Sequence, residues 1–444
     1  MKGMTTRREF LHWTGVAGLG IAAAACVPAA PTGTTGEAAE ESVTLLVWDQ
    51  WSGGGADAGM QQLVESFTEA NPNITIEREV YSGNEQLRDL LKTALGAGTG
   101  PDLMYYDLGA FALQVLVNAD QLMPMDDAYE QYGWDQKIFE FAQQWCTLEG
   151  KRYAIPHELE FEPVYYNKTA YDELGLQVPQ THAEFTANCE ATKEAGYIPI
   201  TIGNAGRGEL RHTFGFPLNN LVGKAGMDDI TLCGASWDRP EVLEAIRIIC
   251  VDYLEQGFYP PDPNAIPGQD ANNLFFTGEA IHKLTGTWWV GTVLEAETEF
   301  EPDIYLYPSI NGSEVLPQAW LGSGYQVPKD SVDPDAAFQF IDFLYSDAAV
   351  PVWVETVSVV PPMPFDAESL NLSDLMKKVL SILRSPDQKF GWMPAGFSPP
   401  GVYDMMNAGF QQILAGEKTP EQQMLDLQEQ WQAAIDGGQY GLKC

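Results

Sequence analysis

The fold class is decided by the stretch VTLLVWDQWSGGG at residues 43–55. Its first six residues are mostly apolar or β-branched and predict a strand, and the three glycines at its end predict a loop. The apolar positions that follow, Met60, Leu63, Val64 and Phe67, have helical spacing. The order is therefore strand, loop and helix.

The same order continues downstream. Residues 74–81 alternate as a second strand, residues 85–95 have a helical pattern, and residues 102–106 follow Gly100-Pro101 as a third strand. Strands that alternate with helices predict a parallel α/β sheet, in which ligands gather at the carboxyl ends of the strands. Trp48, Asp49 and Asp107 fall at two such ends.

Composition limits the number of lobes and the kinds of partner. With 444 residues, 45% of them hydrophobic, the chain is too long for one ordinary hydrophobic core, so we expect two lobes. The formal charge of -38 repels a phosphate backbone or an anionic lipid surface. Nucleic acid is therefore not an expected partner.

The amino-terminal segment predicts export. Arg7 and Arg8 precede an uncharged stretch at residues 11–25 that ends in small residues directly before Cys26. This stretch is too short and too weakly apolar to span a bilayer, and its ending resembles the lipobox of bacterial lipoproteins. We expect residues 1–25 to be a twin-arginine lipoprotein signal peptide. Residues 26–42 would then be a flexible linker that carries lipid on Cys26.

The other cysteines form no metal-binding pattern. Cys146, Cys189, Cys233, Cys250 and Cys444 include no Cys-x-x-Cys pair, and the histidines lack metal-ligand spacing, so we predict no metal and no cofactor. Buried thiols and one or two disulfides both remain open. Our choice for a bridge is Cys233 with Cys250.

A second region begins after residue 153. Residues 153–156 and 164–168 look like a crossing into a further strand and helix. Thr181 can then cap a helix whose third residue, Glu184, completes a capping box.

At this point the chain resembles the maltose and multiple-sugar binding family of bacterial import systems, also called extracellular solute-binding family 1. The resemblance spans nearly all of residues 43–440 and depends on the order of several short motifs. These are Pro101-Asp102-Leu103 with Asp107, Tyr165-Tyr166-Asn167-Lys168 through Gly175 to Thr181 and Phe185, Phe276-Thr277-Gly278-Glu279-Ala280 leading to Gly286 and Trp288, Gly322-Ser323-Gly324-Tyr325-Gln326-Val327-Pro328-Lys329, and the helix at residues 334–344. The region from Pro361 to Phe397 matches only loosely.

The resemblance implies a two-lobed periplasmic-binding-protein fold, with a ligand cleft between α/β lobes joined by crossing strands. By position, lobe one holds residues 43–157 and 309–330, and lobe two holds residues 158–308 and 331–444. The implied function is that of a lipid-anchored binding protein on the outer face of the cytoplasmic membrane. It would capture a carbohydrate and deliver it to the permease subunits of an ABC-type importer. We expect a monomer that contacts the membrane through its lipid only.

A sugar needs flat aromatic surfaces for its C–H face and carboxylates for its hydroxyls. The aromatic candidates are Trp48, Trp51, Trp288 and Trp289, and the carboxylate candidates are Asp49, Asp107, Glu158 and Glu160. The resemblance favours Glu160 over Glu158 and adds Gly324 and Tyr325, which follow a turn that approaches the ligand through its backbone in the family. Arg207 could donate to a ligand oxygen or pair with a surface acid.

Two other function classes were weighed. Carboxylates among aromatic residues also describe a glycoside hydrolase, but the sequence has no nucleophile elbow, phosphate loop or histidine cluster, so we predict no enzyme. The binding fold could instead take a polyol phosphate or a peptide. A phosphate would require several cationic groups in the cleft, and the sequence offers only Arg207 and Arg211, so the abundance of aromatic residues favours an uncharged sugar.

Overall fold

The computed structural model describes residues 42–82 and 84–444. Arg7, Arg8, Cys26 and the predicted linker up to residue 41 lie outside the described residues. In the part of the chain that is described, no helix has both the length and the apolar content needed to cross a bilayer.

The described chain alternates short strands with helices. The strands are β1 (Val43–Asp49), β2 (Ile74–Val80), β3 (Leu103–Asp107), β4 (Thr147–Leu148), β5 (Lys151–Arg152), β6 (Ile155–Pro156), β7 (Glu160–Phe161), β8 (Val164–Asn167), β9 (Ile198–Thr201), β10 (Ala280–Leu284), β11 (Pro302–Tyr305), β12 (Gln318–Trp320), β13 (Ser323–Gln326) and β14 (Gly391–Trp392). The α-helices are Gly54–Ala70, Asn84–Gly96, Leu113–Asn118, Asp126–Tyr132, Trp134–Lys137, Glu140–Trp145, Lys168–Leu174, His182–Glu194, Glu209–Cys233, Pro240–Arg247, Tyr253–Glu255, Gly268–Phe276, Val290–Glu295, Pro334–Leu344, Asp374–Leu383, Pro394–Phe397, Pro400–Leu414 and Pro420–Asp436. The 3-10 turns are Pro263–Ala265, Thr287–Trp289 and Ala367–Ser369, and the π turns are Ile248–Asp252 and Val352–Val357.

The first sheet has the strand order β2-β1-β3-β13-β6. β1 pairs in parallel with β2 and β3, whereas β13 runs antiparallel to both β3 and β6. The three parallel strands end at one edge of the sheet, so the residues after β1 and the end of β3 meet there. The predicted strand–helix alternation of this region is confirmed.

The second sheet has the order β11-β8-β10-β9. β10 runs antiparallel to β8 and parallel to β9, and every residue of β8 and β10 is buried. Burial on both faces explains why β8 is apolar and aromatic without alternation.

A small sheet with the order β14-β12-β7 connects the two larger ones. Along the chain, β7 comes after β6 of the first sheet and before β8 of the second. In the same way, β12 comes after β11 of the second sheet and before β13 of the first. Ala319 pairs with Phe161 and Trp320 with Glu160, so the two crossing segments support each other. We call β7 and β12 the hinge.

One part of the predicted lobe boundary is wrong. The helix Pro334–Leu344, which we expected in lobe two, packs on the helix Gly54–Ala70 of the first sheet, with Phe340 and Phe343 at 4.9 and 5.6 Å from the Phe67 ring. The chain returns to the second sheet only later, where Lys378 bonds Asp303 of β11 at 2.8 Å. The helix follows β13 directly, so its amphipathic face is covered by the nearest sheet.

The capping box at the second lobe is present. The Thr181 hydroxyl accepts from the Glu184 backbone N–H at 3.2 Å, and the Glu184 carboxylate accepts from the Thr181 N–H at 3.2 Å. Both orphan donors at the start of the helix His182–Glu194 are thus satisfied locally, which is why the sequence could predict this boundary.

The predicted disulfide is wrong. Cys233 bonds Cys444 across 211 residues, whereas Cys250 is a buried thiol in the π turn Ile248–Asp252. The carboxyl-terminal tail reaches Cys233 because the Lys443 N–H donates to the Leu232 carbonyl at 2.9 Å. Cys146 and Cys189 are also buried thiols.

Candidate functional site

A cavity of about 920 Å³ lies between the two large sheets. The first-sheet wall includes Gln50, Trp51, Tyr105, Asp107 and Phe111, the opposite wall includes Arg211, His212, Trp288, Thr292 and Glu295, and the hinge side includes Glu158, Glu160, Trp320, Gly322 and Ser323. A volume of this size lies within the range of small-molecule sites.

Trp51 reaches the cavity from the loop after β1. Its ring stacks on Tyr105 with a centroid distance of 4.5 Å and also contacts Trp353 at 5.1 Å. Only 5% of the residue is exposed, so packing against these two rings fixes its position.

Asp49, predicted as a ligand-binding residue, instead holds this loop. Its carboxylate is fully buried and accepts from Arg78 Nε at 2.8 Å, from Arg78 Nη2 at 2.9 Å and from the Trp51 N–H at 3.0 Å. Burial raises the pKa of Asp49, and the hydrogen bonds from Arg78 oppose that rise. Asp49 does not line the cavity, because Arg78 occupies its oxygens.

Of each predicted tryptophan pair, the structure brings only one ring to the cavity. Trp48 is 7% exposed and packs against Tyr81 at 5.2 Å, and Trp289 is 6% exposed and stacks on Phe276 at 5.0 Å. Trp48 lies within β1 and packs in the core, whereas Trp51 lies in the loop after that strand; Trp288 and Trp289 are successive residues of a 3-10 turn and point in different directions. Trp288 lines the cavity with its ring against Gly286, where a Cβ would overlap it.

Gly324 and Tyr325 lie behind the cavity wall. Tyr325 is fully buried against Tyr105 at 5.0 Å, and a Cβ at Gly324 would lie 2.5 Å from the Ile155 carbonyl oxygen. Gly324 therefore permits close strand pairing. The neighbours Gly322 and Ser323 line the cavity in their place.

Three predicted carboxylates meet in the cavity. Asp107 Oδ1 accepts from the Gly109 N–H at 2.6 Å, and Glu158 accepts from the Tyr105 hydroxyl. Burial raises the pKa of Asp107 to about 6, although Arg211 opposes the rise. Burial, and then the charge of Glu158, raise the pKa of Glu160 well above its usual range. Burial therefore favours the protonated forms of Asp107 and Glu160 more than water does.

Of the two arginines that the sequence offered to the cleft, only Arg211 lies in the opposite wall. Arg211 is 6% exposed, donates from Nη1 to Asn407 Oδ1 at 2.7 Å, and lies 4.2 Å above the Tyr403 ring. Tyr403 in turn stacks on Phe111 with a centroid distance of 4.1 Å. Arg207 is exposed and does not line the cavity. No local motif distinguishes the two arginines, and only the helix Glu209–Cys233 turns Arg211 inward.

His212 is held by a buried acid. Its Nδ1 lies 2.6 Å from Glu162, whose other oxygen accepts from Gln318 Nε2 at 2.6 Å. Arg211 Nη2 lies 3.2 Å from His212 Nε2. An arginine can only donate, so His212 Nε2 accepts, and the Nδ1 proton bonds Glu162. The His212 ring supports Trp288 at a centroid distance of 5.3 Å.

The described part of the chain offers no candidate metal site. Within residues 42–82 and 84–444, no group of three or more His, Cys, Asp or Glu side chains is arranged to hold a metal ion. The cavity instead combines ring faces, hydrogen-bond acceptors and one guanidinium.

Comparison with known proteins gives the same architecture. A sequence profile described as bacterial extracellular solute-binding protein matches residues 51–351. The chain is 24% identical over 319 residues to an uncharacterised ABC transporter extracellular-binding protein of Pyrococcus horikoshii, covering 69% of this chain and 70% of that protein. It is 22% identical over 277 residues to the multiple sugar-binding protein of Streptococcus mutans, covering 61% of this chain and 63% of that one.

Among solved structures, a chitin oligosaccharide binding protein has the same fold. Its TM-score is 0.79 at 22% sequence identity, and the alignment covers 89% of this chain and 100% of that chain. The fold is therefore the predicted two-lobed periplasmic-binding-protein fold. Because the profile match extends over more than half of the sequence, this protein belongs to the bacterial extracellular solute-binding protein family.

Proposed function

We propose that this protein captures a carbohydrate outside the cell, in the cavity between its lobes, and delivers it to the permease of an ABC-type importer. The family supports an extracytoplasmic binding role. Two similar proteins are named for sugar ligands, multiple sugars in one case and chitin oligosaccharides in the other.

One observation carries the proposal. Trp51 and Trp288 line the same cavity as Asp107 and Glu158, from different sides of it. A sugar ring has an apolar C–H face that suits an aromatic ring, and its hydroxyls need acceptors such as these carboxylates. A wholly apolar ligand would exclude water from the second oxygen of each carboxylate without replacing its hydrogen bonds, which is costly.

The charges favour an uncharged ligand over a phosphorylated one. Arg211 is the one arginine or lysine in the lining that the structure describes, whereas Asp107, Glu158, Glu160 and Glu295 are all part of it. A phosphate group would meet more carboxylates than cations, so its desolvation would be poorly compensated.

We further propose that the protein performs no chemistry on its ligand. A glycoside hydrolase needs two carboxyl groups on opposite sides of the scissile bond, about 5 to 10 Å apart. The charge of Glu158 helps to raise the pKa of Glu160, so these two carboxyl groups are neighbours on the hinge side of the cavity and do not face each other across a scissile bond. A saccharide that binds and is recovered intact after prolonged incubation would agree with this proposal.

Export, anchoring and lobe motion complete the proposal. Arg7 and Arg8 would direct export, and lipid on Cys26 would keep a monomer next to its permease. Lobe one would contain residues 43–157 together with the segment from β13 to the π turn Val352–Val357. Changing Arg7 and Arg8 to lysine should block export, and normal export of that variant would contradict the signal assignment.

The function is tested by a thermal-shift screen of the purified protein against mono- and oligosaccharides, polyols, sugar phosphates and peptides. A ligand at about 100 times its dissociation constant adds about 2.7 kcal/mol to the free energy of unfolding, which raises the midpoint visibly. We expect shifts with one class of saccharide. A shift with phosphates or peptides and none with any saccharide would overturn the carbohydrate assignment.

A further inference from the structure

The first helix begins in an unusual way. Gly53 and Gly54 have φ values of 78° and 43°, and the helix Gly54–Ala70 has no side-chain cap from its own residues. The first N–H groups of a helix lack intrahelical partners and attract negative charge. These N–H groups are therefore free to bond either water or a partner from elsewhere in the chain.

Glu295 supplies that partner. Its carboxylate accepts from the backbone N–H of Gly55, and it lies so close to Gly54 that a Cβ there would overlap both oxygens. A Cβ at Gly55 would lie 2.5 Å from the Thr356 carbonyl oxygen. A side chain at position 54 would collide with this carboxylate, and one at position 55 would collide with the Thr356 carbonyl. Glycine at both positions therefore permits the contact.

The contact joins the two walls of the cavity. Gly53 follows β1 of the first sheet, whereas Glu295 ends the helix Val290–Glu295, which follows β10 of the second sheet. Gly53, Thr292 and Glu295 line the cavity and are exposed, whereas Glu160 and Trp320 of the hinge are buried, so the contact lies at the solvent-facing side of the cavity, which we call the mouth. Glu295 itself remains exposed.

We propose that Glu295 is a latch that holds the two lobes closed by capping the helix Gly54–Ala70 across the mouth of the cavity. Opening the lobes separates the carboxylate from the helix and leaves the Gly55 N–H to water. Because one exposed carboxylate makes the contact, its loss should shift the balance between the closed and open forms by about fivefold, the size expected for one helix cap. The inference goes beyond the proposed function, since it concerns closure and not the identity of the ligand.

Scattering of the ligand-free protein tests the latch. The wild type should fit the closed coordinates in small-angle X-ray scattering at low salt, and Glu295→Ala should have a larger radius of gyration. The control Glu299→Ala removes an equally exposed carboxylate that does not line the cavity, and it should scatter as the wild type does. Salt at about 1 M should expand the wild type toward the Glu295→Ala value, because it screens exposed charges.

Hydrogen exchange gives a local readout in the same samples. Exchange at the Gly55 amide should be about fivefold faster in Glu295→Ala, the size expected for losing one helix cap, and unchanged in Glu299→Ala. The latch is overturned if the ligand-free wild type has a larger radius of gyration than the closed coordinates give. It is also overturned if Glu295→Ala and Glu299→Ala have the same radius of gyration. Neither measurement needs a ligand, so a negative result would overturn the latch and would not bear on the carbohydrate proposal.

Discussion

The hinge and the mouth of the cavity are held by opposite kinds of contact. At the hinge, Glu162 is fully buried and bonds both His212 and Gln318 of β12, and the two crossing strands pair with each other. At the mouth, one exposed carboxylate reaches across to the first helix. Buried, fully satisfied networks fix a geometry, whereas an exposed charge contributes little. Relative motion of the lobes should therefore open the mouth and preserve the hinge.

The largest expected effect concerns the tail beside the hinge. Lys443 donates to the Gln144 carbonyl at 2.6 Å and lies 4.2 Å above the Trp145 ring, which packs on Trp320 of β12 at 4.7 Å. The Cys233–Cys444 disulfide fixes this tail. Cys444→Ser should lower the free energy of unfolding by about 2 to 5 kcal/mol in urea denaturation.

Reductant provides the control for that variant. It should destabilise the wild type to a similar degree and leave Cys444→Ser unchanged. Equal stability of the oxidised wild type and Cys444→Ser would mean that the tail does not support the hinge.

Next in size is the buried acid of the hinge. Glu162→Gln places amide hydrogens against the donors of His212 or Gln318, so we expect a loss of about 3 kcal/mol in the free energy of unfolding. Glu299→Gln is the matched exposed control and should change stability by less than about 0.5 kcal/mol. If the two variants had the same free energy of unfolding, the buried acid of the hinge would contribute no more to stability than an exposed one.

A smaller effect comes from Asp107, which lies between the hinge and the first wall. Its pKa is raised to about 6 by burial, with Glu158 adding to the rise and the Gly109 N–H, Arg211 and Arg88 opposing it. The folded state therefore keeps this proton longer than the unfolded state does. As pH rises from about 4 through about 6, Asp107 costs increasing stability in the ligand-free protein.

Ligand affinity should follow the opposite direction. Sugar hydroxyls need the ionised carboxylate, so affinity for a neutral saccharide should increase about tenfold between about pH 5 and about pH 7. Calorimetry at several pH values measures this, and Asp107→Asn should flatten the profile. A profile that is unchanged by that substitution would remove Asp107 from the binding site.

The smallest effect belongs to the mouth. Glu295→Ala should alter the free energy of unfolding by less than about 1 kcal/mol, because the carboxylate is exposed and the open form, in which the partner N–H bonds water, remains folded. A loss comparable to that of Glu162→Gln would erase the difference between the two regions.

Sequence patterns predicted what depends on near neighbours. The first strands and helices and the Thr181–Glu184 capping box follow from periodicity and from capping chemistry. The order of motifs also led to the correct family. These features are settled by residues within one turn or one strand of each other.

Features that depend on distant packing were missed. Periodicity cannot tell which ring of Trp288 and Trp289 turns into the core, nor that Arg78 occupies the oxygens of Asp49 from the next strand. The Cys444 partner depends on where the tail returns after 211 residues. The helix Pro334–Leu344 was assigned to the wrong lobe because its amphipathic pattern does not specify which sheet it covers.

The central claim is that a saccharide binds between Trp51 and Trp288 in the cavity. The most direct measurement is isothermal titration calorimetry with the saccharide that gives the largest thermal shift, applied to the wild type, Trp288→Ala and Phe141→Ala. Phe141 is a matched aromatic control, since it is 52% exposed and outside the cavity lining. We predict about 30-fold weaker binding for Trp288→Ala, or roughly 2 kcal/mol, and wild-type binding for Phe141→Ala. Wild-type affinity in both variants would place the ligand elsewhere and contradict the account.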